Sequence, residues 1–480
     1  MKKFLKTGTF IYTVLFGVCL FILLQSPIAP YAKSVIGVDS GIYIYSARQI
    51  LDGQLMYKDI VDNKGPFLYL INLIALLIFN RHFIGIWIFE LVSLFSASII
   101  MYKTARFFAG KVSSLSAVVA GMLFLVICIG RGNLTEEWAL PYISLAMYIF
   151  TDYLKNNKPL TVFRLFVLSL TFVLTFMIRA NLVAIWAGFG IVLLIKWIVE
   201  KRYRELIRSL SFILLFAALS ILPFLLRFYS KGILTDAVYW VFTFNMFDYN
   251  SGSPESLSAI LKTFLNISYI GIIIPFLIAI YMFFRDRSLI HGGVLSALIF
   301  TLLSCSLGHS FWHYYTIFVP LLVIPYSYLF SIIKENISKR IYIFIFTLFI
   351  AFYSVFIGRQ LWLIYDNYMR KNDNALKMEK LTEIITRNTK PTDKILVKGQ
   401  QTQVYLYSNR TSATRFPYTQ ERSSLVKERY VKEAAEALPK LIIQYDNENR
   451  FDSFSLDSLL NNRYQLIETV KNTEIWKLNE

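Results

Sequence analysis

Apolar runs long enough to cross a bilayer recur through the first three quarters of the chain, and they limit its fold more than any other feature. A hydrocarbon core of roughly 30 Å takes about 20 helical residues to cross. Runs of that order occupy 8–28, 83–102, 113–130, 138–154, 163–179, 182–199, 208–227, 267–284, 289–307, 314–333 and 340–358. In lipid every backbone N–H and C=O must find its partner inside the segment, so such runs read as helices. The pattern predicts a polytopic α-helical membrane protein with about eleven transmembrane helices. The segment 66–79 is apolar but short, and reads as interfacial or re-entrant. If it crosses and its neighbourhood divides differently, the number becomes thirteen.

Only 17% of the 480 residues are charged and 56% are hydrophobic, yet the net charge is +18. That excess sits in alternate connections rather than in a nucleic-acid-binding patch. Lys103, Arg106 and Lys111 form one group, and Lys155, Lys158 and Arg164 another. Lys196, Lys201, Arg202, Arg204 and Arg208 follow, then Arg285 and Arg287, then Lys334, Lys339 and Arg340. By the positive-inside bias these face the cytoplasm of a multi-pass protein of the cell (plasma) membrane. Lys2, Lys3 and Lys6 before the first run resemble a signal peptide, but many spans follow, and the run reads as an uncleaved first helix. The connections 29–65, 131–137, 179–181, 228–266 and 308–313 then lie outside, as does everything after the last span. Cys19, Cys128 and Cys305 all lie within apolar runs and offer neither a disulfide framework nor metal spacing.

Past residue 375 the composition changes to mixed and charged. "KILV" (394–397), "VYLYS" (404–408), "LIIQYD" (441–446), "YQLIETV" (464–470) and "EIWKL" (474–478) read as strands, and 420–438 as a helix. The expected division is a transmembrane domain over 1–358, a linker over 359–374 and a small extracytoplasmic α/β domain over 375–480.

The outward connections carry an unusual set of polar residues. The first contains "VIGVDSGIYIYSARQILDGQLMYKDIVDNKGPFLYL", from Val35 to Leu70. Tyr43, Ala47 and Ile50 repeat at helical spacing and Gly53 suits a C-terminal stop, so Asp39 begins a short amphipathic, interfacial helix. A plain capping role is the alternative for Asp39. "GRGNLTEEW" supplies Arg131, Glu136 and Glu137; "MIRANL" supplies Arg179 and Asn181; "GHSFWHYY" supplies His309 and His313. The loop 228–266 adds Lys231, Asp236, Asn245 and Asp248, while Glu90, inside an apolar run, reads as structurally paired. Carboxylates can serve as general base or metal ligand. Lys64 and Arg179 can hold a phosphate, and a phosphate at membrane depth is most naturally a lipid head group. The competing reading of each cation is snorkelling to bulk phospholipid.

In "GVDSGIYIYSARQILDGQLMYKDIVDNKGPFLYL", "GNLTEEWALPY", "IRANL" and "GHSFWHYYTIFVPLL", taken in that order, the chain resembles the GT-C superfamily of membrane glycosyltransferases. The likeness is greatest to the protein-mannosyltransferase and aminoarabinose-transferase branch, and it covers most of the membrane part. The resemblance implies an enzyme that moves a sugar from a polyprenyl-phosphate carrier to a glycan, lipid or protein acceptor on the outer face. Asp39 matches the family's first-loop acidic residue, and Lys64 its lipid-phosphate lysine. The second acidic position falls on Glu136 or Glu137. Arg179, with Asn181 beside it, falls where a basic residue faces the carrier phosphate, and His313 and Tyr314 lie in the aromatic stretch before a late span. The aminoarabinose branch holds a metal with a Glu and a His where this chain has Asn63 and, in the second large loop, Asn245 and Asp248; a divalent cation therefore stays open.

On this reading Asp39 is the base for the acceptor hydroxyl, Lys64 and Arg179 stabilise the leaving phosphate, and attack opposite it inverts the anomeric carbon. A transporter or flippase is the leading alternative. Against it stand the scarcity of midplane charges and the lack of paired broken helices. A polymerase or ligase using diphosphate-linked glycans shares the surface logic. The alternation of basic loops makes a direct prediction about topology. A reporter that fluoresces only in the cytoplasm, fused after Glu480, should stay dark, and a bright fusion would invert the assignment of every loop.

Overall fold

The computed structural model of the protein describes residues 8–248, 258, 271–306, 311–336, 339–419, 424–445 and 456–479. His309 and the portions 249–257, 259–266 and 308–310 of two predicted outer loops lie outside these residues. Each of the eleven predicted runs contains a helix in its described part. Among the described residues six helical stretches are long and apolar enough to cross a membrane: Ile84–Ala105, Lys111–Cys128, Ala180–Val199, Tyr203–Ser230, Leu289–Ser306 and Trp312–Ile332. Gly8–Leu23, Pro66–Ile78 and Val162–Ile178 are shorter apolar helices. The chain divides into two compact units, one of residues 1–25, 87–224 and 255–364, the other of 26–86, 225–254 and 365–480.

The first unit is a bundle of apolar helices. Lipid gives no hydrophobic advantage to helix pairing, so close backbone approach at small residues has to supply it. A Cβ on Gly188 would stand 2.4 Å from Ala297 Cα, and one on Gly293 would stand 2.9 Å from the Phe189 ring. These glycines let the Ala184–Val199 and Leu289–Ser306 helices lie against each other. Val319–Asn336 packs against Lys111–Leu123, with Val323 over Gly121.

The second unit joins the first predicted loop to the C-terminal domain. That domain contains a five-stranded mixed sheet in the order β2-β1-β3-β5-β4. Its strands are β1 Lys394–Lys398, β2 Thr411–Ser412, β3 Leu441–Tyr445, β4 Tyr464–Val470 and β5 Thr473–Leu478. β2, β1 and β3 are parallel, whereas β3, β5 and β4 run antiparallel. The helices Asp373–Asn388 and Ser424–Ala437 complete it, and Leu381, Ile385, Tyr430, Ile395, Ile443 and Ile475 are fully buried. The segment "VYLYS" is helical, over Gln403–Ser408, and not the predicted strand. β-propensity misleads there because Val404, Tyr405, Leu406 and Ser408 are all buried, on more than one face, and tertiary packing overrides the local preference.

The first-loop helix spans Val38–Leu51, and Gly53 follows at φ +92° as the expected stop. Its predicted amphipathic character is not found: every residue from Ser40 to Ala47 is buried. The reason is that two segments cover it: the Pro66–Ile78 helix, with Tyr69 edge-on to Tyr43, and the Gln403–Ser408 helix. Gly41 lies so near that a Cβ there would be 3.2 Å from Thr402 Oγ1 and 3.3 Å from Gln403 N. The Tyr45 and Tyr405 rings sit 5.1 Å apart. Ser412 N–H donates to Tyr45 Oη at 2.9 Å, and Ile36 N–H to Tyr407 Oη at 3.2 Å.

Below this helix the chain turns at Asp62, which is 1% exposed. Its carboxylate accepts from the Tyr69 hydroxyl, from the Tyr418 hydroxyl at 2.6 Å and from Asn63 N–H at 2.7 Å. Val61 N–H donates to Arg415 O at 2.8 Å. A hydrogen bond to a buried charge contributes about 1.5–3 kcal/mol. Tyr418→Phe should therefore lower stability in detergent by about that amount, read as an earlier thermal unfolding transition. Tyr407→Phe removes a neutral bond at a partly exposed ring and should cost only about 0.5–1.5 kcal/mol; equal effects would show that Asp62 is no anchor.

Candidate functional site

Asp39 is the second residue of its helix. The N-cap is Gly37, with extended backbone and no side-chain bond to the helix. The carboxylate is therefore not the cap, although its place in the first turn suits the positive end of the helix dipole. Asp39 is half-buried and makes no hydrogen bond or ion pair among the described residues.

Lys64 precedes another helix. Gly65 is the N-cap of Pro66–Ile78 and Pro66 takes the first helical position, where its missing N–H costs nothing and its fixed φ is already helical. The Lys64 ammonium donates to Asn63 Oδ1 at 2.7 Å and has no carboxylate partner among the described residues. Its backbone is pinned by the Tyr57 hydroxyl, which donates to Lys64 O at 2.8 Å. Burial, and then the nearby Asp62, push the Tyr57 phenol well above its usual range, so it stays a donor.

Asn63 and Asn245 clasp each other. Asn63 Nδ2 donates to Asn245 Oδ1 at 2.8 Å, and Asn245 Nδ2 donates to Asn63 O and to Val241 O, each at 2.8 Å. Asp248 accepts from the Tyr239 hydroxyl at 2.8 Å. These residues do not fit a divalent cation: the Asn63 carbonyl oxygen already accepts from an ammonium, and the pair brings no negative charge. Among the described residues no three His, Cys, Asp or Glu side chains are grouped to hold a metal.

In the other unit, three of the predicted residues meet. Arg179 Nη1 lies 2.9 Å from Glu136 Oε1, its Nη2 donates to the Tyr314 hydroxyl, and the guanidinium stacks over the Tyr314 ring at 4.2 Å. Glu136 is almost fully buried and Arg179 about one-fifth exposed. The geometry separates the two glutamates that the sequence left equivalent. Glu136 carries Arg179, whereas Glu137 faces Glu90 in a small cavity with Leu23, Ser93 and Trp138. Glu90 accepts from Asn133 N–H, which agrees with its expected structural pairing. His313 is stacked on Phe311, 5.6 Å between centroids, and edge-on to Tyr314 at 4.8 Å. Asn181 offers its backbone oxygen to Ser304 at 2.5 Å, while its side-chain oxygen is buried without a hydrogen bond among the described residues.

Sequence reasoning missed two functional supports. Asp62 was one charge among seven in the stretch from Val35 to Leu70, and only its burial between two tyrosines distinguishes it. The Asn63–Asn245 clasp joins positions 182 residues apart, and nothing local signals it.

No family model matches the chain, and no curated protein matches its sequence. Solved structures do match. ArnT from Cupriavidus metallidurans bound to undecaprenyl phosphate is similar over 98% of both chains, with a TM-score of 0.68 at 11% identity. Its apo state gives 0.66 at 12% identity over the same shares. The archaeal oligosaccharyltransferase AglB from Archaeoglobus fulgidus, in complex with an inhibitory peptide and a dolichol-phosphate, is similar over 91% of this chain and 69% of its own. The TM-score there is 0.55 at 11% identity. At such identities the likeness is one of fold: the chain shares the fold of ArnT and AglB.

Proposed function

We propose that this protein is a membrane glycosyltransferase that takes a sugar from a polyprenyl-phosphate carrier and passes it, with inversion, to an acceptor hydroxyl. One observation carries the reading. In the first loop of this fold a carboxylate, Asp39, and an ammonium, Lys64, are both rigidly placed, and neither is spent on an ion pair among the described residues. Structural charges are usually paired; charges kept unpaired are available to a substrate. The undecaprenyl phosphate and dolichol-phosphate in the similar structures support the class of carrier.

Lys64 binds the carrier phosphate. The N-terminus of the Pro66–Ile78 helix adds its own positive end to the ammonium, a combination that favours an anion. Asp39 takes the proton of the acceptor hydroxyl as that oxygen attacks the anomeric carbon. The bond from that carbon to the phosphate oxygen breaks, and the electron pair leaves with the phosphate. Lys64 stabilises the charge that grows there. Arg179, oriented by Glu136 and Tyr314, is assigned to substrate binding together with Asn181 and His313. Its charge is largely offset by Glu136, so it acts as a geometrically fixed donor rather than a free cation.

Two measurements test the proposal. Mass spectrometry of lipid co-purified with the protein should find a polyprenyl monophosphate. A diphosphate-linked oligosaccharide would move the reading to a glycan ligase, and a lipid without phosphate would remove it. In transfer assays from a polyprenyl-phosphate sugar, Asp39→Asn should keep the fold and lose roughly 10²–10⁴ in rate. Lys64→Met should lose both donor affinity and rate, because the phosphate gains charge in the transition state. Turnover of folded Asp39→Asn at the unmutated rate would refute the base assignment.

A further inference from the structure

Within the second unit the far end of the Val38–Leu51 helix borders a polar cleft of about 350 Å³. Its size lies at the lower end of the range of roughly 300–1,000 Å³ usual for small-molecule sites. Its lining is not of the usual apolar kind. Gln49, Gln54, Thr411, Ser412 and Thr414 line it together with charged side chains, so polar groups make most of the wall and amides and hydroxyls are prominent among them. Such groups both donate and accept, which is the pattern that sugar hydroxyls require.

The charges of the cleft are uneven in what they have left to offer. Arg415 is taken by Glu433, at 2.6 Å, and Asp59 accepts from Leu55 N–H at 2.8 Å. Lys58 and Lys394 also line the space, and neither forms an ion pair or hydrogen bond through its side chain among the described residues. Three cations against two carboxylates leave a net positive cleft whose two available charges are both ammonium groups. The walls are fixed before any ligand arrives. Val61 N–H donates to Arg415 O, Ser412 N–H to Tyr45 Oη, and Ala413 N–H to Ile395 O.

We propose that this cleft binds an anionic sugar, one bearing a carboxylate or a phosphate, with Lys58 and Lys394 on the anion and the amides and hydroxyls on the ring. If the protein transfers sugars as proposed above, and only then, this ligand is the acceptor. Gln49 lies ten residues along the same helix from Asp39, about 15 Å at 1.5 Å per residue. A sugar held in the cleft does not itself reach Asp39. The acceptor is therefore an extended acidic glycan, gripped by an inner residue while another presents its hydroxyl.

Titration calorimetry on the full chain in a neutral detergent tests the site without any transfer. Tri-galacturonic acid supplies the carboxylate, glucose 6-phosphate the phosphate, maltotriose the neutral control and inorganic phosphate the bare anion. Saturable binding of either anionic sugar, at least about tenfold tighter than both controls, is expected, since each charge-assisted bond is of that order. Which of the two binds names the anion. Lys58→Gln with Lys394→Gln should weaken it by about tenfold or more while thermal unfolding stays unchanged, as both side chains are exposed. If that pair lowers stability, the single variants and the loss of binding on raising salt to about 0.15 M carry the same decision. Equal binding of maltotriose, equal binding of bare phosphate, or affinity indifferent to both lysines would overturn the proposal. Because the readout is binding, such a failure leaves the carrier assignment standing on its co-purified lipid, and loss of the carrier assignment leaves the anionic-sugar site standing.

Discussion

The buried carboxylate of Asp62 is the interaction on which the second unit depends. A charge taken from water is tolerated only where hydrogen bonds replace the water, and here two phenols and a backbone N–H do so. The donors come from three places in the sequence: the Pro66–Ile78 helix, the loop itself and the segment after β2. One carboxylate thus fixes the loop that carries Lys64 against both its own following helix and the C-terminal domain. A single residue, Asn63, separates the anchor from Lys64, so little slack remains between them.

The C-terminal domain accordingly belongs to the architecture of the first loop. Its Gln403–Ser408 helix and its Tyr407 and Ser412 enclose the helix that begins with Asp39. Gly41 permits this, since any side chain there would meet Thr402 and Gln403. A helix whose middle turns are buried has one rotation and one register, and that is what the proposed base, Asp39, would need, because proton transfer falls off steeply with misplacement. The part the domain plays is to hold the helix that carries Asp39 still.

The parts legible in the sequence were those that local physics decides. Helical runs followed from apolar length, the start of Pro66–Ile78 from Gly65-Pro66, and the end of the Asp39 helix from Gly53. Four of the five predicted strands alternate or run apolar over lengths a strand requires, and they pair in the sheet. The illegible parts depend on distant partners. "VYLYS" has the composition of a strand and becomes a helix because it must cover Tyr45. The first-loop helix has an amphipathic spacing but its middle turns have no wet face, because part of its cover lies over 350 residues away. Glu136 and Glu137 are neighbours in sequence and differ only in what each meets: Arg179 for one, Glu90 for the other.

The same logic explains why Lys64 keeps its charge available. An ammonium at the edge of a packed loop needs a partner for orientation, and the strongest partner would be a carboxylate. A carboxylate at 63 would form an ion pair that any incoming phosphate must displace, and the attraction for the phosphate would be largely cancelled. Asn63 orients the ammonium through its carbonyl oxygen without adding charge. That oxygen has to be aimed, and Asn245 aims it by accepting from the amide of Asn63 while donating to its backbone. Asp62, one residue earlier, supplies negative charge for stability, but its oxygens are engaged by tyrosines and a backbone N–H. The sequence Asp-Asn-Lys therefore separates two tasks: a buried anion that fixes the loop, and a neutral amide that points a cation without quenching it.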